Sequence, residues 1–154
     1  MITIRDFVER AFSLHGYMQG VERDKARVKA TGEVFTPDEL VKEILSKIGT
    51  VSPNAFKGAQ TFLDPSCGDG QFLVWVIAMK LTKGNLKKLS NTNFLKKGID
   101  KDYPKILETV YGVDLMPDNV EKVKQRLALV PEHRNILDKN IRCENALTYD
   151  FSFE

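Results

Sequence analysis

The 154-residue chain is 42% hydrophobic and 29% charged with a formal net charge of +2, which fits one globular domain with a modest core and is too balanced to diagnose a nucleic-acid binder from charge alone. Its longest strongly apolar run, residues 72–78, is far short of the roughly 20 residues of a bilayer span, and the N-terminus is charged where a secretory signal would be apolar. Cys67 and Cys143 stand far apart with no CxxC or Cys/His cluster, which argues against a disulfide framework or zinc site and leads us to expect an intracellular, cytoplasmic location.

Along residues 3–15 the apolar positions Ile4, Phe7, Val8, Ala11 and Phe12 recur at helical spacing, and Gly16 is a natural stop. The basic stretch Arg23, Lys25, Arg27 and Lys29 has little apolar content and reads as a poorly buried helix or a linker. Residues 1–30 are therefore expected to form an N-terminal helical segment ahead of a unit spanning 31–154. Thr36-Pro37-Asp38-Glu39 has the marks of a helix start, with a hydroxyl cap, proline at the first helical position and glutamate three after the cap. Leu40, Val41, Ile44, Leu45 and Ile48 form the expected buried stripe, which Gly49 ends.

A short apolar strand at 61–63 runs into Asp64-Pro65, and Gly68-Asp69-Gly70 turns into an apolar helix over 71–81. Residues 81–107 are rich in lysine, asparagine and glycine and read as a basic, irregular insertion with one short helix around Phe94. A second strand is expected at 109–113. Pro117 then opens a helix with Val120, Val123 and Leu127 on one face, closed by Pro131, and a third short strand follows at 140–143.

Alternating strands and helices predict an α/β domain with parallel strands and crossover helices, and right-handed crossovers give the strand order three, two, one. That is half of a doubly wound sheet. The outer edge of the first strand then has no partner within the chain, so a second polypeptide, another copy, the N-terminal helices or a loop must cover it.

The segment Asp64-Pro65-Ser66-Cys67-Gly68-Asp69-Gly70-Gln71-Phe72-Leu73 is the most informative, because glycines between a strand and a helix let a ligand approach backbone N–H groups. It resembles the first motif of the amino-group (N6-adenine type) DNA methyltransferases, in which an Asp/Asn-Pro-x-x-Gly-x-Gly turn wraps the methionine end of S-adenosylmethionine. Thr31-Gly32-Glu33-Val34-Phe35-Thr36-Pro37 resembles the motif that precedes that turn, and the resemblance places Phe35 and Thr36 beside the methionine moiety. Tyr111-Gly112-Val113-Asp114-Leu115-Met116-Pro117 is similar to the second motif. There the resemblance gives Asp114 the two ribose hydroxyls, which a carboxylate suits, and Leu115 the adenine face. Cys143-Glu144-Asn145-Ala146-Leu147 resembles the third motif, which gives Asn145 the adenine edge. Glu144 and Ala146 depart from the glycine and aromatic common at those places. Each segment alone also reads as an ordinary cap or turn; together, in family order, they imply a partial Rossmann-like methyltransferase fold with Asp64, Pro65, Gly68, Asp69, Gly70, Asp114, Leu115 and Asn145 in the cofactor shell.

In that family an Asp/Asn/Ser-Pro-Pro-Tyr/Phe motif after the fourth strand performs the chemistry on a flipped-out base. The six prolines here stand at 37, 53, 65, 104, 117 and 131, none adjacent to another, so no catalytic residue is assigned. The resemblance implies the cofactor-binding part of a restriction-modification type enzyme, similar also to short phage proteins. The alternative is a non-catalytic module that binds cofactor or partner. Lysines 80, 83, 87, 88, 96, 97, 101 and 105, with Phe94 and Tyr103 interleaved, are candidates for a DNA backbone or a plain solvated surface. His15 and His133 lack metal-ligand spacing, Cys67 reads as a buried residue of the turn, and Trp75 as core.

Overall fold

The computed structural model describes residues 1–13 and 36–154. The expectations for the basic stretch 23–29, His15 and Phe35 fall outside the described residues. Helix α1 (Ile4–Ser13) buries Ile4, Phe7 and Ala11, and its start is fixed by Asp6, whose carboxylate accepts from the Thr3 N–H and hydroxyl. Helix α2 (Asp38–Val51) follows the undescribed segment.

Three parallel strands form the sheet: β1 (Phe62–Asp64), β2 (Val110–Asp114) and β3 (Ile141–Cys143), in the order β1-β2-β3. Leu63 pairs in register with Tyr111 and Val113 with Arg142, which agrees with the strand order expected from the sequence. Helix α3 (Gln71–Leu81) is buried almost all round, as a helix with no polar face must be. It packs on α2 and on both β1 and β2. Helix α6 (Pro117–Leu127) buries Val120, Val123 and Leu127 and packs on β2, β3 and α1.

Several expectations are corrected. Thr36 does not cap α2: Pro37 occupies the N-cap position in extended conformation with no side-chain cap bond. Its carbonyl accepts from the Leu40 and Val41 N–H groups, and the helix runs through Gly49 to Val51. Of its apolar stripe only Val41 and Leu45 are buried; Leu40, Ile44 and Ile48 are exposed.

The 81–107 stretch is ordered by the core. It contains 3-10 turns at Leu86–Ser90 and the helices α4 (Thr92–Leu95) and α5 (Asp102–Leu107). Ile99, Tyr103 and Leu107 are buried. The segment is tied to the chain start by Ile99 N–H donating to the Ile2 carbonyl and Ile4 N–H to that of Lys97. Tyr103 is therefore no base-stacking platform, for its hydroxyl donates to the Leu127 carbonyl inside the core. Lys80 is also withdrawn from any nucleic-acid surface: its ammonium donates to the Gln60 carbonyl and the Thr109 hydroxyl.

The sequence reading missed helix α7 (Arg134–Asn140), which follows a 3-10 turn at Pro131–His133. Pro131 opens this segment rather than only closing the preceding one. His133 is buried against the Tyr103 ring, with Nδ1 accepting from the Leu129 N–H. Trp75 is half-buried, donating from Nε1 to Asp38. After β3, Tyr149, Phe151 and Phe153 fold back, the Phe153 ring lying 4.8 Å from that of Tyr111. Among the described residues no helix is long and apolar enough to cross a membrane.

Gly112 shows how closely α3 and the glycine turn approach the sheet, since a Cβ there would lie 2.8 Å from Leu73 Cδ1 and 3.1 Å from Cys67 Sγ. Gly112→Ala is expected to overpack this contact and destabilise the chain by about 1–3 kcal/mol. A lowered denaturation midpoint at unchanged slope is the expected reading, and an unaltered midpoint would contradict the packing described.

Candidate functional site

In open α/β sheets ligands gather beyond the carboxyl ends of the strands. Here those ends carry Asp64 on β1, Asp114 on β2 and Cys143 on β3. The chain leaves β1 through Pro65 and returns at once: Cys67 N–H donates to the Val113 carbonyl at 2.9 Å and Gly70 N–H to that of Cys67. Gly68 and Gly70 both have positive φ, 55° and 96°, a region costly for residues with a Cβ. At Gly70 a Cβ would also meet Val123 at 3.0 Å.

The turn and the strand-end carboxylate meet directly. Gly68 N–H donates to Asp114 Oδ1 at 3.1 Å. Asp114 Oδ2 accepts from Met116 N–H and from Asn119 Nδ2, each at 3.0 Å. Glu144 N–H donates to the Asp114 carbonyl, so the end of β3 reaches the same place. A carboxylate offers roughly four lone-pair positions. The protein fills three, both of those on Oδ2 among them, and the remaining one on Oδ1 allows Asp114 to receive one further hydroxyl, not two, while Gly68 stays bonded.

Asp64 stands on the neighbouring strand, in register with Gly112. Burial raises its pKa; the Ser66 N–H opposes the shift, and the negative charge of Asp114 adds to it. Burial, and then the fields of Asp64 and Asp114, push the Cys67 thiol well up. Cys67 is therefore an inert packing residue here and not a nucleophile. Two carboxylates at one end of the sheet, with no cation among the described residues shifting Asp64, favour a ligand that brings positive charge.

The other expected residues are placed as follows. Thr36 is half-buried just ahead of α2, and Pro65 is exposed. Asp69 is buried inside the turn, and Leu115 is 56% exposed beside Asp114. Asn145 is exposed, and its Oδ1 accepts from Leu147 N–H, so that oxygen already serves a local turn. The lysines do not converge on this end. Lys83, Lys97 and Lys105 line a groove with Lys57 that includes Thr61 and Thr109, at the amino ends of β1 and β2. Lys87 and Lys88 line an adjoining surface with Phe94, and Lys97 borders both.

Sequence reasoning missed Arg126, which is wholly buried. Its Nη1 donates to the Asp69 carbonyl at 3.0 Å and its Nη2 to Gln71 Oε1 at 3.2 Å. Asn119, also missed, is buried against Asp114. The only signal for Arg126 was a cation one residue before Leu127, on the face that carries Val123. Among the described residues no group of three or more His, Cys, Asp or Glu side chains is arranged to hold a metal ion.

Comparison with protein-family models, curated proteins and solved structures finds no match to this chain.

Because Asp64 holds its proton to higher pH in the folded chain than in the unfolded one, the folded state binds more protons between the two pKa values. Stability is then lost as pH rises from the ordinary carboxyl value through the folded one. Asp64→Asn, neutral throughout and still able to accept from Ser66, is expected to match the parent below both values and to exceed it at pH 7. Denaturation midpoints at pH 3 and pH 7 measure this, and a variant less stable than the parent at pH 7 would show Asp64 to be stabilised as an anion.

Proposed function

We propose that this chain is the S-adenosylmethionine-binding portion of an N6-adenine DNA methyltransferase-like protein, with a Rossmann-like half sheet as its scaffold. The observation that carries the reading is the 3.1 Å bond from Gly68 N–H to Asp114 Oδ1. It brings the turn of the first resemblance motif and the acid of the second to one point at the carboxyl ends of adjacent parallel strands. Glu144, bonded to the Asp114 backbone, brings the third motif to the same end.

On this reading the Gly68–Gly70 turn and Asp64 face the cationic methionine end, Asp114 receives a ribose hydroxyl through its remaining lone pair, and exposed Leu115 lies against the adenine. Thr36 borders the methionine moiety, with Pro65 and Asp69 shaping the turn. Asn145 offers the adenine edge what its local turn leaves open. The cofactor, when bound, supplies an electrophilic methyl group. The acceptor chemistry needs a proline-proline-aromatic motif that this sequence lacks, so the chain alone binds cofactor and does not transfer the methyl group.

Among the described residues the outer edge of β1 is unpaired, which supports a partner. Beside it, Leu45, Ile48, Phe62, Leu63, Phe72, Leu73 and Val76 line an apolar recess, and Leu63 is 48% exposed. A further strand from a second polypeptide, from another copy or from additional chain would pair there and bury this surface. The groove of Lys57, Lys83, Lys97 and Lys105 lies at the amino ends of the strands, away from the proposed methyl group, and adds nothing to the case for DNA.

Calorimetric titration with S-adenosylmethionine tests the reading, and Leu115→Ala provides the clean variant. An exposed leucine should change stability by less than about 0.5 kcal/mol. Losing apolar cover over the adenine should weaken binding by about tenfold. Absence of cofactor binding to the parent, or equal affinity in the variant, would sink the assignment of this site.

A further inference from the structure

Arg126 heads the fully buried side chains by volume, an unusual place for a charge that water solvates well. The cost of removing a guanidinium from water is met only if its donors are satisfied, and the partners it has found are informative. Its Nε donates to the carbonyl of Ala11 in the last turn of α1 at 2.7 Å. Its Nη1 donates to the Asp69 carbonyl, in the middle of the glycine turn, and lies 3.7 Å from Asp69 Oδ1. Its Nη2 donates to Gln71 Oε1 on the first residue of α3. Burial lowers the Arg126 pKa to about 10, with Asp69 and then Asp38 opposing the shift, so the group is charged at neutral pH.

None of these bonds reaches the atoms through which the proposed cofactor would be held. They grip the Gly68–Gln71 segment at Asp69 and Gln71, while Asp114 grips it at the Gly68 N–H. The planar fork of a guanidinium can bind two acceptors on one segment and a third on another element at fixed angles, which a lysine ammonium cannot reproduce. The same side chain bonds both the turn and the last turn of α1. A second tie runs in parallel, from Arg10 Nε to the Gln125 carbonyl, so α1 is fastened to α6 immediately beside Arg126.

We propose that Arg126 is the positioning residue of the Gly68–Gly70 turn, and that through Ala11 it makes ligand affinity at this turn depend on the docking of helix α1. The inference rests on the cofactor reading for the identity of the ligand, and on hydrogen-bond geometry alone for the positioning.

The test combines amide hydrogen exchange with calorimetry on the full chain, for the parent, Arg126→Lys, Arg126→Met and, as a control, Leu137→Ala. Leu137 is buried on α7, where its truncation lowers global stability without touching the turn. In both Arg126 variants, exchange at Gly68, Gly70 and Gln71 should accelerate by about tenfold or more beyond any change at the β2 amides, the factor expected for losing a hydrogen bond to a charged group. S-adenosylmethionine affinity should fall by at least a similar factor. Leu137→Ala should instead accelerate turn and strand amides alike and leave affinity unchanged. Equal acceleration at turn and strand in the Arg126 variants, or unchanged turn protection, overturns the proposal. So does loss of folding in both variants, which would make Arg126 a determinant of the fold. If Arg126→Met alone fails to fold, Arg126→Lys decides. Should the parent bind no S-adenosylmethionine, the cofactor reading fails while the exchange arm still judges the positioning role.

Discussion

The bond between the Gly68 amide and the Asp114 carboxylate is the constraint on which the carboxyl end of the sheet depends. It links a turn after β1 to the tip of β2, two segments 46 residues apart in sequence. The turn conformation requires positive φ at Gly68 and Gly70. The carboxylate in turn needs the Met116 amide and the Asn119 side chain to hold it in place. Because Asp114 is nearly buried, each of these bonds acts where water competes poorly.

Beneath the turn a second charge plays the complementary part. Arg126 is as buried as any aliphatic residue of the core, yet all three of its donor nitrogens find acceptors. An anion bonded to the Gly68 amide and a cation bonded to the Asp69 carbonyl leave the intervening backbone little freedom. Such preorganisation lowers the ordering cost that a ligand would otherwise meet on binding. The same end of the sheet carries a cost, for Asp64 resists ionisation, chiefly through burial and further through the negative charge of Asp114. A cationic ligand end would relieve that field, which is consistent with the sulfonium and ammonium groups of the proposed cofactor.

The sheet is asymmetric. β3 is backed by α6 and α7, whereas the outer edge of β1 pairs with nothing among the described residues. The exposed Leu40, Ile44 and Ile48 of α2 and Leu63 of β1 are more apolar surface than a finished strand edge usually leaves open. The helical period of α2 placed Leu40, Val41, Ile44, Leu45 and Ile48 on one stripe; the fold buries Val41 and Leu45 and leaves the other three exposed.

Much of this was written locally in the sequence. The apolar run of α3, the alternation of short strands with helices and the glycine pair after Asp64-Pro65 suffice to place β1, β2 and β3 within a residue or two and to order them, because period and turn chemistry are local properties. The candidate residues of the turn and of β2 were legible for the same reason. What only the tertiary structure decided is which polar groups are spent on the fold. Lys80 and Tyr103, candidates for a nucleic-acid surface in the sequence, are core anchors in the fold, and Arg126, which the sequence reading did not single out, is wholly buried. Asp114 turned out to have three of its lone pairs occupied. Burial and hydrogen-bond partners depend on segments far apart in the chain meeting in space, and no window of sequence contains that information.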